Sequence, residues 1–215
     1  MIYKILFAVI LVNLSVIYPA YSTTHSQNDN NSSQQVKIGD KTVLLSGQKL
    51  KPGDKAPDFK VVDEQFKTIQ LSDFSGKTVL INVVSSIDTS IDSVQTKRFN
   101  QAMLELPANV MILTISADLP FAQKRFSNTE KVDRLQLLSD SVWRDFGLKY
   151  GLLIKDMGLL TRAVLIVDSK GYVNYQQIVP QLSQQPDYEE ALKAVKVLAS
   201  ASELESKIET QSAAL

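Results

Sequence analysis

The chain has 215 residues, of which 44% are hydrophobic and 21% charged, as expected for one globular domain of ordinary size with some additional length. Lys+Arg and Asp+Glu both number 23, so the formal net charge is zero, which argues against a strong attraction to nucleic acid or to an anionic membrane. There is no cysteine, and the single histidine, His25, lies near the N-terminus. The remainder of the chain therefore has no thiolate nucleophile, no disulfide and no Cys- or His-ligated metal site, and we expect neither a metal nor a cofactor.

Residues 1–22 have the pattern of a secretory signal peptide. Lys4 gives a short positive region, Ile5–Ile17 is mostly apolar, and Ala20 and Ser22 fit the small-residue rule for cleavage after Ser22. The apolar run is short for a membrane span. We therefore expect export, to the periplasm or to the outside of the cell, with no membrane attachment after cleavage. An uncleaved N-terminal membrane anchor is the alternative.

Three further segments follow from composition. Residues 23–35 are rich in Ser, Thr, Asn and Gln and almost free of apolar residues, which predicts a flexible polar linker. Residues 36–204 carry the apolar patterning of one folded domain, without an internal repeat or a second domain. Residues 205–215 are predicted to be a frayed C-terminal tail.

The first half of the domain is predicted to form short strands around one central strand. The apolar run Val79–Val84, interrupted only by Asn82, predicts a strand covered on both faces. The other elements expected in this half are a β-hairpin (Val36–Ser46), a loop (Lys51–Pro57), two short strands (Asp58–Val62 and Thr68–Leu71) and one helical turn (Ser72–Phe74).

The second half alternates helices with strands. A helix follows the turn Ser85–Ser90, with an inner face expected from its apolar residues: Ile91, Val94, Phe99, Ala102, Met103 and Leu106. The elements predicted after it are a second central strand (Val110–Ser116), a helix capped by Asp118 with Pro120 just inside it, a short strand (Leu135–Leu138), a helix starting at Ser141, a hairpin (Ala163–Asp168 with Tyr172–Ile178) and a final helix opened by Pro186–Asp187. This order predicts an α/β fold, a central mixed sheet with helices on both faces.

Several consecutive motifs resemble one family. They are LKPGDKAPDF at 50–59, LSDFSGKTVLIN at 71–82, SIDT at 86–89 with KRFN at 97–100, ISADLPFAQKRF at 115–126, TRAVLIVDSKGYV at 161–173 and PDYEEAL at 186–192. Together they make residues 36–198 similar to the thiol peroxidases, the atypical two-cysteine peroxiredoxins of bacteria. The resemblance implies a thioredoxin-like fold and, for the family, thiol-dependent reduction of hydroperoxides.

The family's active site can be carried over only in part. The family pattern has a Pro, then a Thr, then the peroxidatic Cys three residues after the Thr. Here the Pro position is Ser85, the Thr is kept as Thr89, and the peroxidatic Cys position is Asp92. The resolving Cys position falls on Ser127, and the Arg that helps to hold the thiolate and the peroxide matches Arg162. The resemblance thus implies a site that keeps Thr89 and Arg162 and has lost both sulfurs.

Aspartate and serine cannot perform the family's reaction. There a thiolate attacks a peroxide oxygen, becomes a sulfenic acid and is trapped by the second Cys. A carboxylate is a poor nucleophile toward peroxide and has no recyclable oxidation state, and Ser127 cannot form a disulfide. We therefore expect no active catalytic residue. Instead Asp92, in the first turn of a helix, is expected to pair with Arg162 and to lock the helix start in its folded conformation.

A purely structural interpretation of these residues is also open. Asp92 fits the ordinary preference for an acidic residue in the first helical turn, and Thr89 fits the preference for a hydroxyl at the cap. Arg162 would then be only the structural partner of Asp92, and Ser127 would have no role.

Two functions remain open at this point. The first is an exported pseudoenzyme that acts as a binding or regulatory module, as a homodimer or with an unknown protein or small anionic ligand at the old active-site pocket. The second is an enzyme of changed chemistry, which uses Asp92 as general acid or base beside Arg162 and Thr89. Pairing with Arg162 stabilises the Asp92 anion, which opposes its use as a base.

Overall fold

The structure, a computed structural model, describes residues 34–213. The expected signal peptide and residues 23–33 of the expected linker lie outside this range. The first strand begins at Gln35, which the sequence had placed in the linker. The strands of the described range are β1 (Gln35–Ile38), β2 (Lys41–Ser46), β3 (Lys60–Val62), β4 (Thr68–Gln70), β5 (Thr78–Val83), β6 (Val110–Ser116), β7 (Gln136–Ser139), β8 (Leu153–Ile154), β9 (Ala163–Val167) and β10 (Val173–Ile178).

A seven-stranded mixed sheet forms the centre, in the order β10-β9-β5-β6-β7-β3-β4. Strand β5 pairs in parallel with β6 and antiparallel with β9, so it lies in the interior of the sheet. All six of its residues are buried. The prediction of a central strand covered on both faces is therefore confirmed.

Four α-helices accompany this sheet: α1 (Ser90–Ala102), α2 (Pro120–Glu130), α3 (Asp145–Lys149) and α4 (Tyr188–Ala213). One face of the sheet, represented by Leu80 and Ile112, packs against Phe99 of α1 and Val195 of α4. Side chains that point the other way pack against the α3 region. The predicted α/β architecture with helices on both faces is thus confirmed. No helix between residues 34 and 213 combines the length and the apolar composition needed to cross a membrane.

A second, three-stranded sheet contains the N-terminal hairpin, in the order β1-β2-β8. Val36 lies opposite Val43 in the hairpin, and Leu45 pairs with Ile154 of β8. The hairpin predicted over Val36–Ser46 is therefore confirmed.

The predicted inner face of α1 was right only in part. Phe99 is buried, and Met103 and Leu106 pack against the same core, but Val94 is 52% exposed. The other residues that α1 buries are polar: Asp92, Gln95, Thr96 and Asn100. Apolar periodicity missed this face because the facing strands β5 and β6 themselves present polar side chains there.

Two predicted helix starts were also wrong. Asp118 does not cap α2, because its carboxylate bonds to the turn before α1; Leu119 occupies the cap position, with Pro120 just inside as expected. The third helix begins at Asp145 and not at Ser141, because its first turn is bonded to Asp140.

The tail was expected to fray after about Leu204. In the structure α4 continues as far as Ala213.

Candidate functional site

The site is built where β5 leads into α1. The chain leaves the strand at Val83, turns through a bond from the Thr89 N–H to the Ser86 carbonyl (3.0 Å), and enters the helix at Ser90. Thr89 has an extended backbone, and its hydroxyl accepts the N–H of Asp92 (3.2 Å). A threonine cap satisfies one of the free N–H groups at a helix start, which is why the helix begins there.

The Asp92 carboxylate is completely buried and accepts hydrogen bonds on both oxygens. Oδ2 accepts from the Ser86 backbone N–H (3.1 Å) and from the Thr89 hydroxyl (2.9 Å). Oδ1 accepts from Nε of Arg162 (3.0 Å) and from Nη2 of the same guanidinium. The ion pair expected between Asp92 and Arg162 is therefore present.

Arg162 lies immediately before β9, and its side chain is only 2% exposed. The guanidinium nitrogen that does not face Asp92, Nη1, donates to the carbonyl oxygens of Leu182 and Gln184 (3.1 Å to Gln184). The same loop reaches α1 directly, because Nε2 of Gln185 donates to the carbonyl of Ile91 (3.0 Å). Arg162 therefore joins the start of α1 to the loop between β10 and α4.

Because both charges are buried, the stability of this region depends on the pair remaining intact. We call the pair and its hydrogen-bond partners the structural centre. Removing a carboxylate and a guanidinium from water is costly, and the cost is offset only when the geometry is good and the remaining donors and acceptors are satisfied. That condition is met here, since both carboxylate oxygens and three guanidinium nitrogens are bonded. The N-terminal turn of α1 adds a favourable field for the anion.

Asp118 holds the turn that precedes the helix, a contact that the sequence did not predict. Its two carboxylate oxygens accept from the Ser86 hydroxyl (2.7 Å) and from the Ile87 N–H (2.8 Å). Ser86 is thus held by Asp118 through its side chain and by Asp92 through its backbone N–H. An Asp directly after the apolar run of β6 is the only sequence signal for this contact.

Beneath the site, α1 is joined to the sheet by a buried polar chain. Nε2 of Gln95 donates to Oδ1 of Asn82, and Nδ2 of Asn82 donates to the Thr114 hydroxyl (3.0 Å). In the sequence, Asn82 indicates only an interruption of an apolar strand. These bonds fix the rotation of α1 and so the direction in which Asp92 points.

Ser85, at the Pro position of the resemblance, follows β5 and is buried, and its hydroxyl has no hydrogen-bond partner among residues 34–213.

Ser127 does not contact the ion pair of Asp92 and Arg162. It lies on α2, half-buried, and donates to the carbonyl of Val132 (2.7 Å). Ser127 faces a cleft of about 400 Å³ that it shares with Gln123 and β7 residues. Thr89 lines a different groove, of about 460 Å³, between the start of α1 and α2.

The arrangement leaves little scope for chemistry at Asp92. Its carboxylate is 0% exposed and already bonded to Ser86, Thr89 and Arg162, so neither water nor a substrate reaches it in this conformation. The anion that Arg162 can hold is supplied by the protein itself. In the described part of the chain, no three His, Cys, Asp or Glu side chains lie close enough together to hold a metal ion. The sequence resemblance alone, and not this geometry, assigns Asp92 to the position of the peroxidatic Cys.

Comparison with known proteins identifies relatives over most of the chain. The AhpC/TSA family profile matches residues 52–176. A thiol peroxidase from Oceanobacillus iheyensis is 48% identical over 150 residues, which are 70% of this chain and 91% of that protein. A thiol peroxidase from Listeria innocua is 44% identical over 162 residues, which are 75% of this chain and 98% of that protein.

A solved structure agrees with these matches. The peroxiredoxin-like protein from Aquifex aeolicus superposes with a TM-score of 0.73 at 36% identity, covering 77% of this chain and 98% of that one. The chain therefore belongs to the AhpC/TSA family, as a thiol peroxidase homologue that has no cysteine.

Proposed function

We propose that this protein is an exported thiol peroxidase homologue that does not reduce hydroperoxides and serves as a binding or regulatory module. The observation that carries the proposal is the buried ion pair of Asp92 and Arg162 in a chain without cysteine. A thiolate is the nucleophile of peroxide reduction in this family, and a carboxylate bonded to Arg162 has neither its nucleophilicity nor its reversible oxidation.

The geometry also bears on the kind of partner. A small anion at the old pocket would compete with the Asp92 carboxylate for the same guanidinium, and Asp92 is covalently part of the site. A partner that recognises the outer surface around the helix start meets no such competition. We therefore favour a protein partner over the small anionic ligand.

A changed chemistry with Asp92 as general base receives no support from the geometry. A base needs a substrate proton within hydrogen-bond reach. Thr89 and Arg162, which this alternative uses to assist Asp92, both donate hydrogen bonds to the Asp92 carboxylate itself.

The test is hydroperoxide consumption in the presence of a dithiol reductant. We expect the unaltered protein to match the rate of buffer with reductant alone. The variant Asp92→Cys/Ser127→Cys restores both sulfurs and is expected to gain turnover, since Thr89 and Arg162 are in place. Asp92→Ser/Ser127→Cys is its matched control, with the same second thiol and no nucleophile at position 92. Turnover by the unaltered protein would overturn the proposal.

Export is a separate part of the proposal and rests on the sequence of residues 1–22. The N-terminus of the protein recovered from its native cell tests it. We expect the chain to begin at Thr23 and to be found in the periplasmic or extracellular fraction. Membrane-bound protein that retains Met1 would instead establish an uncleaved anchor.

A further inference from the structure

A cleft of about 200 Å³ lies at the end of the sheet opposite the Asp92 site. Strand β5 leads into the Asp92 site at its end, whereas Val79, at its start, lines the cleft. The antiparallel strand β9 spans the same distance, since Arg162 precedes it and its last residue, Val167, lines the cleft. A strand of this length covers about 15–20 Å, so the cleft is a separate place on the molecule.

The floor of this cleft is apolar and its rim is polar. We call it the lysine cleft, because Lys55 and Lys77 border it. Its apolar lining residues are buried or half-buried members of the core: Ala56, Leu71, Phe74, Val79 and Val167. Ligand sites in proteins have mostly apolar walls with a few polar groups that fix the orientation of the ligand. The floor therefore favours a ligand with an apolar body.

The ammonium group of Lys55 is held at the rim. Its Nζ donates to the carbonyl of Lys170 (2.6 Å) and lies 4.6 Å from the centre of the Tyr172 ring. Gly171 makes room for it, because a Cβ at that position would stand 3.0 Å from Nζ. Lys170 is paired with Glu205 (2.9 Å), but Lys55 has no ion pair within residues 34–213. An ammonium has three donors, so Lys55 has donors left for a ligand.

The two carboxylates beside the lysine cleft are used by the protein itself. Asp58 accepts the backbone N–H and the hydroxyl of Ser72 (3.0 Å each). Asp168 accepts two backbone N–H groups of its own hairpin turn (3.0 and 2.9 Å). Lys77, like Lys55, forms no ion pair in the described part of the chain. The acidic groups therefore hold loops in place, while the two ammonium groups have no anionic partner.

Two other clefts offer less to an anion. Arg125 is the basic residue of the groove between α1 and α2, and it faces Asp88 (3.6 Å). In the cleft beside Ser127 acidic residues outnumber basic ones, and Lys124 faces Glu64 (3.8 Å). The lysine cleft differs from both, because the two lysines at its rim are not matched by carboxylates.

We propose that the lysine cleft binds a small organic carboxylate. The apolar body of the ligand lies on the floor, and its carboxylate accepts charge-assisted hydrogen bonds from Lys55 and Lys77. The cleft has the volume of about seven water molecules, which suits one aromatic ring or a short alkyl chain. Because Lys55 is held by protein contacts before the ligand arrives, binding costs little further ordering of that side chain. The site is independent of the pair of Asp92 and Arg162.

Amide chemical shifts test the proposal, with benzoate as the probe and isotope-labelled protein in the form in which the cell processes it. We expect saturable shifts at Phe74 and Gly171 with a dissociation constant of about 1 mM or less, a reasonable affinity for about nine non-hydrogen atoms. Benzamide lacks the charge and inorganic phosphate lacks the apolar body, so each is expected to bind at least about tenfold more weakly. Three results would overturn the proposal: no saturable shift at about 10 mM benzoate, equal binding of either comparison compound, or shifts centred on Leu182.

Two double variants locate the anion-binding groups. Lys55→Met/Lys77→Met removes both charges from exposed side chains, so the protein is expected to fold and to bind benzoate at least about tenfold more weakly. Lys41→Met/Lys193→Met is the matched control, with two exposed lysines removed away from the cleft and no change expected. Unchanged affinity in the first variant, or an equal loss in the control, would contradict the assignment. Hydroperoxide consumption does not enter this test, so its failure leaves the proposed function standing.

Discussion

Asp92 accepts two hydrogen bonds on each carboxylate oxygen in a fully buried site, whereas Ser127, at the other position where the resemblance places a redox cysteine, makes one bond to a nearby carbonyl. The groups that Asp92 joins come from the preceding turn and from Arg162, just before β9 and 70 residues away in sequence. The contact of Ser127 lies within five residues. Asp92 therefore ties separate parts of the fold together, whereas Ser127 makes only a local contact within its own part of the chain.

The largest loss of folding stability is expected from Asp92→Ala. The change leaves the Arg162 guanidinium buried without its counter-charge, and removal of one partner from a buried ion pair typically costs about 3–5 kcal/mol. Denaturant unfolding measures the loss. Asp88→Ala is the control, since Asp88 pairs with Arg125 at the surface, where both side chains are about two-thirds exposed. Such a pair is worth about 1 kcal/mol or less.

The same measurement distinguishes the ion pair from a simple loss of packing. Asp92→Ala/Arg162→Met removes both charges, so its cost is expected to be smaller than the sum of the two single changes. If the two costs add, Asp92 and Arg162 act independently and the structural centre is not an ion pair.

The next effect concerns Asp140, a second fully buried carboxylate that lacks such a close guanidinium contact. Its oxygens accept the backbone N–H groups of Phe146 (3.0 Å) and Gly147 (2.9 Å) at the start of α3. Burial raises the pKa of Asp140 from 3.8 to about 6, although these N–H groups and the charge of Arg144 oppose the rise. The folded state therefore binds this proton more tightly than the unfolded state.

The sign of the pH dependence follows from that pKa. The contribution of Asp140 to stability is fully present below pH 3.8 and is lost as the pH rises through about 6. The loss amounts to at most about 3 kcal/mol. The free energy of unfolding is expected to decrease as the pH rises from 4 to 7, and Asp140→Asn is expected to remove this decrease. Asp88→Asn, at the exposed pair, should leave the slope unchanged; an unaltered slope in Asp140→Asn would contradict the assignment.

A smaller effect is expected from Thr89→Ala. The change removes both the cap on the Asp92 N–H and one hydrogen bond to its carboxylate. Loss of such a cap costs about 1 kcal/mol, and the partly exposed hydroxyl can be replaced in part by water. Thr89→Ser keeps the hydroxyl and is expected to keep most of the stability. Equal losses in the two variants would show that the methyl group, and not the cap, matters at this position.

The smallest effect is expected from Ser127→Ala. One hydrogen bond at a half-buried position contributes about 1 kcal/mol or less. The midpoint of thermal unfolding of this variant should be close to that of the parent and well above that of Asp92→Ala. A loss of stability as large as that of Asp92→Ala would contradict the conclusion that Asp92 matters more to the fold than Ser127.

Much of the fold could be predicted from apolar patterning. The strands β5 and β6 are mainly apolar runs, and the hairpin of β9 and β10 is marked by its Ser169–Gly171 turn, so their bounds came out within about one residue. Patterning failed where the buried groups are polar. The inner face of α1 was misassigned in part because Gln95 meets Asn82 there, and no apolar period records such a match.

The site itself was predictable only in part. The pairing of Asp92 with Arg162 came from the resemblance, because nothing in the local sequence relates residues so far apart. The carbonyl groups of Leu182 and Gln184 that complete the site carry no sequence signal, since every residue has a carbonyl. Asp118 was expected to cap its own helix, and its actual contacts depend on how the ends of β5 and β6 lie side by side.

We propose that Asp92 occupies the place of a thiolate within an otherwise retained anion site. This proposal is tested most directly by Asp92→Cys, whose thiol is the only one in the chain. Labelling of sulfenic acid with dimedone after addition of hydroperoxide measures its oxidation, against Ser90→Cys on the exposed side of the same helical turn. We expect Cys at position 92 to be oxidised at least about tenfold faster, because Arg162 and the helix start favour the thiolate. Oxidation no faster than at position 90 would contradict the claim.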